Sequence, residues 1–214
     1  MTATNPLQLR YDKLGPVVVR ALQKRHFEAY YCADAKQAMQ QAVDLISNED
    51  IVSWGGSVSI EQIGLLNYVK QHYKVIDRDT AASPQQRIEL MCQGLLADTF
   101  LMSANAVTED GQLVNIDGNG NRTAALIYGP KKVIVVAGMN KVVRTLEDAY
   151  ARAHYTAAPA VVQRFPAAKT PCNITGSCAE CLGESSCCAQ FVRTRLCRPA
   201  GRIKVILVGE NLGL

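Results

Sequence analysis

Lys132-Val-Ile-Val-Val-Ala137, running on into Gly138-Met-Asn-Lys141, is the stretch that decides the fold. Five apolar residues in unbroken succession do not alternate in and out. Such a strand is buried on both faces, as strands are in a parallel sheet covered by helices. Arg202 to Val208 (RIKVILV), Asp50 to Trp54 (DIVSW) and Thr99 to Ser103 (TFLMS) have the same character. Glu28 to Cys32 and Lys74 to Asp77 complete the set.

Amphipathic helical segments lie between these strands. Residues 7–26 place Leu14, Val17, Val18 and Leu22 near a 3.6 period. Asp34 opens a helix with Gln37 as its capping-box partner, and Ala35, Ala38, Met39, Ala42, Val43 and Ile46 form one apolar stripe. Ile60, Ile63, Leu66 and Val69 mark another helix. Ser83-Pro84-Gln85-Gln86 starts a further one, whose apolar face predicts a core position for Cys92, as β-strand context does for Cys32. Ala106 to Ile116 reads as a hairpin about Asp110-Gly111. Arg122 to Tyr128 reads as a helical turn. After Lys141 a helix is expected to reach about His154, and residues 157–171 to be a connector. Helices alternating with fully apolar strands give an α/β fold, a mostly parallel sheet flanked by helices. Residues 1–214 are expected to form a single domain, with a Cys-rich insertion at 170–198 before the last strand.

At 214 residues, 48% hydrophobic and 20% charged, the chain can bury a full core. A net charge of +4 with no basic run points away from nucleic acid. No long apolar run predicts a membrane span, and the first residues hold no apolar signal core. A cytoplasmic location is expected, where thiols stay reduced.

Six of the eight cysteines fall between 172 and 197, in PCNITGSCAECLGESSCC (171–188) and at Cys197. Cys178-x2-Cys181 is the knuckle that turns two sulfurs toward one ion. Cys172, Cys178, Cys181 and one of the adjacent pair Cys187 and Cys188 supply four thiolates. Zinc and a [4Fe–4S] cluster both accept such a set, and spacing does not separate them. A Cys178–Cys181 dithiol switch is the competing reading.

Ligands of an open α/β sheet collect at the carboxyl ends of its strands. Gly55-Gly56-Ser57 follows one strand and offers close backbone approach. Asn105 follows another. Asp117-Gly-Asn119-Gly-Asn121-Arg122 packs a carboxylate, two carboxamides and a guanidinium into six residues, and Arg122 suits a carboxylate or phosphate. Lys131, Asn140 and Lys141 flank the Lys132–Ala137 strand, where the lysines would steer an anion. Glu61 and Asp77 are possible carboxylates near the cleft. His26, His72 and His154 carry no motif and read as ordinary residues. No serine–histidine–aspartate order is visible.

SWGGSVSIEQIGLL (53–66), TFLMSANAVTEDGQLVNIDGNGNRTAALIYGPKKVIVVAGMNKVV (99–143), PCNITGSC (171–178) and GRIKVILVGENLGL (201–214) resemble the lactate-utilisation (LUD) domain family. The resemblance runs over about residues 10–214. It implies a fold like that of sugar-phosphate isomerases, coenzyme A transferases and formyltetrahydrofolate cyclo-ligases. It also implies an accessory role in oxidation of lactate or a related hydroxy acid, with a small anionic metabolite in the cleft, a metal or cluster on the cysteines, and a redox protein or a second copy as partner. The chain lacks the ferredoxin run Cys-x2-Cys-x2-Cys-x3-Cys of cluster-bearing relatives. A non-redox enzyme acting on a small phosphate or carboxylate with structural zinc, and a non-catalytic metabolite or redox sensor, are the alternatives.

Overall fold

The computed structural model describes residues 5–214. Six strands form one all-parallel sheet: β1 (Glu28–Cys32), β2 (Ile51–Trp54), β3 (Lys74–Ile76), β4 (Thr99–Met102), β7 (Lys132–Gly138) and β10 (Ile203–Val208). Their order across the sheet is β1-β10-β7-β4-β2-β3. The most apolar strands, β7, β10 and β4, lie inside the sheet, as burial on both faces requires.

Alternate residues of β7 serve two separate cores. Val133, Val135 and Ala137 face one cluster with Val18 and Leu22 of α1 (Pro6–Lys24), beside Phe100 and Met102. Ile134 and Val136 face the other, with Ala38 and Ala42 of α2 (Ala35–Asp44) and the helices α3 (Val58–Gln62) and α4 (Leu65–His72). The expected caps are present: Asp34 Oδ1 accepts from Gln37 N at 2.8 Å and Ser83 Oγ from Gln86 N at 3.1 Å, the latter starting α5 (Pro84–Gly94). The single helix expected around Ile60 to Val69 is broken in two at Gly64, whose φ of +79° ends α3 in a left-handed turn.

A second, four-stranded sheet was not foreseen. β5 (Ala106–Thr108) and β6 (Leu113–Asp117) form the expected hairpin. β8 (Val142–Val143) joins β5 in parallel, and β9 (Gln190–Thr194) pairs antiparallel with β6 over five residues. Three expectations are therefore corrected. The segment after Lys141 is first strand and only then helix, because Val142 and Val143 complete an open sheet edge. The Cys-rich segment 170–198 is not a simple insertion: it carries α9 (Pro171–Thr175) and, through β9, builds the second sheet. The 157–171 connector contains α8 (Ala158–Val162), which continues α7 (Leu146–Ala151) through a π-helical stretch, Arg152–Ala157.

Cys32 is buried as expected, but Cys92 is exposed. The α5 stripe that suggested a core position leaves Ile88 52% exposed too, since α5 lies at the margin of the sheet and buries little of itself. Among the described residues no helix is long and apolar enough to cross a membrane.

Candidate functional site

A cleft of about 1010 Å³ opens at the carboxyl ends of β2, β4 and β7. This is where the chain leaves β2 toward β3 on one side and leaves β4 toward β7 on the other, the place where an open α/β sheet parts its connections. Gly56 and Ser57 after β2, Ser103 and Asn105 after β4, and Lys141 after β7 all line it. Asp117, Asn119, Asn121 and Arg122 line it from the end of β6 and the start of α6 (Asn121–Ile127).

Much of the polar loop is occupied in holding itself together. Arg122 Nη2 donates to Asn105 Oδ1 at 3.1 Å and to Ile116 O at 2.5 Å. Asn105 Oδ1 also accepts from Ile116 N at 3.0 Å. Asp117 Oδ2 accepts from Thr123 N at 3.0 Å and stands 3.8 Å from Arg122 Nε. Ser57 Oγ caps α3, accepting from Ile60 N at 3.3 Å. Gly55 lies behind the wall, where its missing side chain admits Arg122.

Two further predicted residues do not line the cleft. Lys131 precedes β7 at the amino end of the sheet, opposite the cleft, and pairs with Asp98 at 2.7 Å on the surface. Only the carboxyl end of a strand faces the cleft, so a lysine on the amino flank of β7 lies away from it. Asn140 is at the correct end but is spent on the backbone of Leu212: its Oδ1 accepts from Leu212 N at 3.1 Å. Glu61 lines the cleft beside Arg164, while Asp77 pairs with Lys70 at 2.8 Å outside it.

The cleft also contains groups that sequence reading missed. Arg78, just past the end of β3, reaches over Gly56: a Cβ on that glycine would stand 2.8 Å from Arg78 Nη2. The nearest carboxylate to Arg78 Nε, that of Asp79, is 3.8 Å away. Burial works against the charge of Arg78, and against that of Arg122 as well. Among the described residues, Arg78 Nε, Trp54 Nε1 and both amide atoms of Asn115 are buried without a hydrogen-bond partner, and of these only Arg78 and Trp54 belong to residues that line the cleft. Buried N–H donors are nearly always paired, so two orphans on one cleft ask for an acceptor. Trp54 and Arg78 sit at strand ends, a positional signal available in the sequence.

Lys141 is deeply buried, 4% exposed. Its Nζ lies 3.1 Å from Ser59 Oγ and 3.1 Å from Ser103 Oγ. Burial lowers its pKa to about 7, with the positive charges of Arg152 and Arg122 acting in the same direction.

Next to the cleft, a cavity of about 20 Å³ is lined by Cys172, Cys178, Cys181, Cys187, Cys188 and His154. Cys178 Sγ is 3.5 Å from His154 Nε2, and the Cys187 and Cys188 sulfurs are 3.9 Å apart. Cys197 is in the main core, away from them. His154, read as ordinary, is turned to this cavity from the π-helical stretch, a local widening that leaves no mark in apolar periodicity. In chemistry the thiols and imidazole suit zinc or an iron–sulfur cluster. In placement they meet in pairs: among the described residues no three His, Cys, Asp or Glu side chains are set to hold a metal ion. Cys181, Cys187 and Cys188 line the large cleft as well.

The LUD domain family model matches residues 16–208. A solved DUF162 family protein from Deinococcus radiodurans aligns with a TM-score of 0.55 at 14% identity, over 92% of this chain and 97% of that one. Its likeness bears on the fold, and agrees with a mostly parallel sheet between helices. eIF2B delta from Chaetomium thermophilum aligns over 66% of this chain and 55% of its own at 16% identity, with a TM-score of 0.34. No curated protein matches the chain.

Proposed function

This chain belongs to the LUD-domain family, and from that premise we propose that it is an accessory factor in oxidation of lactate or a related hydroxy acid that binds a small anion in the cleft. The observation that carries the reading is the pair of orphan donors, Arg78 Nε and Trp54 Nε1, in a cleft that Arg122 and Lys141 also line. A carboxylate or phosphate would accept from both, and the guanidinium of Arg78 would offset its charge. Arg122 supports the wall through Asn105 and Ile116, and Asn119 and Asn121 offer further amide donors at the rim.

Trp54 is the sole tryptophan, so its fluorescence reports directly on the cleft. Titration with lactate, pyruvate and inorganic phosphate is expected to give a saturable change with at least one of them, accompanied by a rise in melting temperature. No change with any of the three would remove the small-anion reading.

The shared cavity of five cysteines and His154 favours a second arm, a metal or cluster beside the cleft. Cys172, Cys178, Cys181, one or both of Cys187 and Cys188, and His154 would hold it after the pairs draw together. An iron–sulfur cluster would supply one-electron transfer there, and zinc would only brace the segment. Anaerobic purification with iron, zinc and sulfide analysis tests this arm. Protein that takes up neither metal on reconstitution would leave the thiols as a redox-sensitive wall of the cleft.

A further inference from the structure

Lys141, Ser59 and Ser103 form a triangle of polar atoms inside the protein, with Ser103 Oγ also 3.3 Å from Ala104 O. The two hydroxyls are 3.3 Å apart and each lies 3.1 Å from the amine. Ser59 is fully buried and Ser103 nearly so. The triangle is capped by Gly213, where a Cβ would stand 2.4 Å from Ser59 Oγ and 2.8 Å from Lys141 Nζ. Its open side is the cleft, which Ser103 and Lys141 both line.

The charged groups acting on this amine are guanidinium groups, Arg152 from the π-helical stretch and Arg122 from α6. A buried ammonium would hold three donors with two hydroxyl acceptors and no carboxylate, a costly arrangement. A neutral amine fits better, since it has two donors and one lone pair. It can donate to one serine and accept from the other. Stability alone offers no reason to bury a lysine among two serines and two arginines; an apolar side chain there would serve better.

We infer that Ser103 is a nucleophile for acyl transfer, with Lys141 as its general base and Ser59 as the group that positions the amine, acting on an ester or thioester that bears a carboxylate or phosphate. The anionic part of that substrate class rests on the reading of the cleft given above; the nucleophile and base do not. Ser103 Oγ forms a bond to the acyl carbon while its proton passes to Lys141 Nζ. The bond from the acyl carbon to the alcohol or thiol oxygen or sulfur breaks, and the leaving group takes the proton from Lys141. Water then attacks the acyl–Ser103 ester, giving a proton back through Lys141 to Ser103 Oγ and releasing the free acid. No oxidant or reductant enters either half. An amine buried as neutral is the form a general base requires, which is why the absence of a histidine beside the serines does not count against them.

The test is labelling of the full-length protein by a neutral fluorophosphonate, read by peptide mass mapping. The expected result is one adduct, on Ser103, absent from Ser103→Ala. Lys141→Met should slow it at least about 100-fold, the usual scale of a general base. In the unmodified protein the labelling rate should rise with pH through a midpoint near 7, which keeps the test independent of how well the lysine variant folds. No Ser103 adduct, an adduct on Lys141 or a cysteine instead, or a rate that Lys141→Met and pH leave unchanged would overturn the inference. Hydrolysis of p-nitrophenyl acetate and of its anionic analogue mono-p-nitrophenyl succinate then separates the two claims. Preference for the succinate supports the anionic cleft. Equal turnover removes the anion while keeping the nucleophile.

Discussion

Arg122 rests its aliphatic stem on the bare α-carbon of Gly55: a Cβ there would lie 2.8 Å from Arg122 Cγ and 2.9 Å from its Cδ. The arginine has nowhere to retreat, because Nη2 is held by Asn105 Oδ1 and Ile116 O. Gly55→Ala is expected to cost about 1–3 kcal/mol, the usual range for overpacking. At this chain length that is a fall of about 2–4 °C in Tm per kcal/mol. Calorimetry checks it, and an unchanged Tm would mean the arginine stem moves freely.

Arg78→Gln tests the cleft without touching that brace. The variant keeps a polar side chain but loses the charge-assisted donor. Anion affinity by Trp54 fluorescence is expected to fall about 10- to 100-fold, in line with about 1.5–3 kcal/mol for such a bond. The Tm of the ligand-free protein should hardly change. An unaltered affinity would move the anion away from Arg78.

Acid stability should depend on Asp50. Its Oδ2 accepts from Thr99 Oγ1 at 2.6 Å, Lys132 Nζ at 3.0 Å and Ser47 N at 3.2 Å. Burial works to raise the pKa of this carboxyl, but those hydrogen bonds together outweigh it and bring it below the ordinary value. A carboxyl with a depressed folded pKa stabilises the protein above its unfolded pKa, about 3.9. That contribution is lost as pH falls through the folded value. Denaturant melts between pH 6 and 2.5 should therefore show stability falling below about pH 4. Asp50→Asn should lower stability by about 1–3 kcal/mol at pH 6 and flatten that fall. Equal slopes for the two proteins would rule out this origin.

Thiol reactivity should sort by environment. Cys92 is exposed and should react readily with a disulfide reagent, a phase that disappears in Cys92→Ser. Cys32 and Cys197 should react only on unfolding. Burial pushes the Cys32 thiol up to about 11, so little thiolate is present at neutral pH. Rapid reaction of Cys32 in the folded protein would contradict its placement in the core.

The parallel sheet was legible because its evidence is local. Runs such as Val133 to Ala137 declare two-sided burial within a few residues, and Asp34 and Ser83 announce their helices within one turn. Of the second sheet only the β5–β6 hairpin was legible: β9 has Phe191 45% exposed and an arginine at 193, so no apolar pattern marks it. It exists because β6 offers an edge, a fact about a partner more than 70 residues away. The cleft divided in the same way. Gly56, Ser57, Asn105 and Arg122 stood out as loop chemistry, and Lys141 as a strand-end lysine. Arg78 carried only the signal of its strand-end position, and Ser59 owes its place to packing across the sheet. Arg122 was recognised, but most of its bonding serves the scaffold, since residue type alone does not tell which way a guanidinium will be spent.

The strand β9 fastens the cysteine segment to β6, and β6 ends in Asp117, at the floor of the cleft. Cys187 and Cys188, a few residues upstream, are thereby stitched to the same seam as the polar loop, and form a party wall between the two chambers. A wall shared in this way obeys reciprocity: whatever a guest in the larger room does to the sulfurs, a change in the sulfurs must do to the guest's hold, by the same factor.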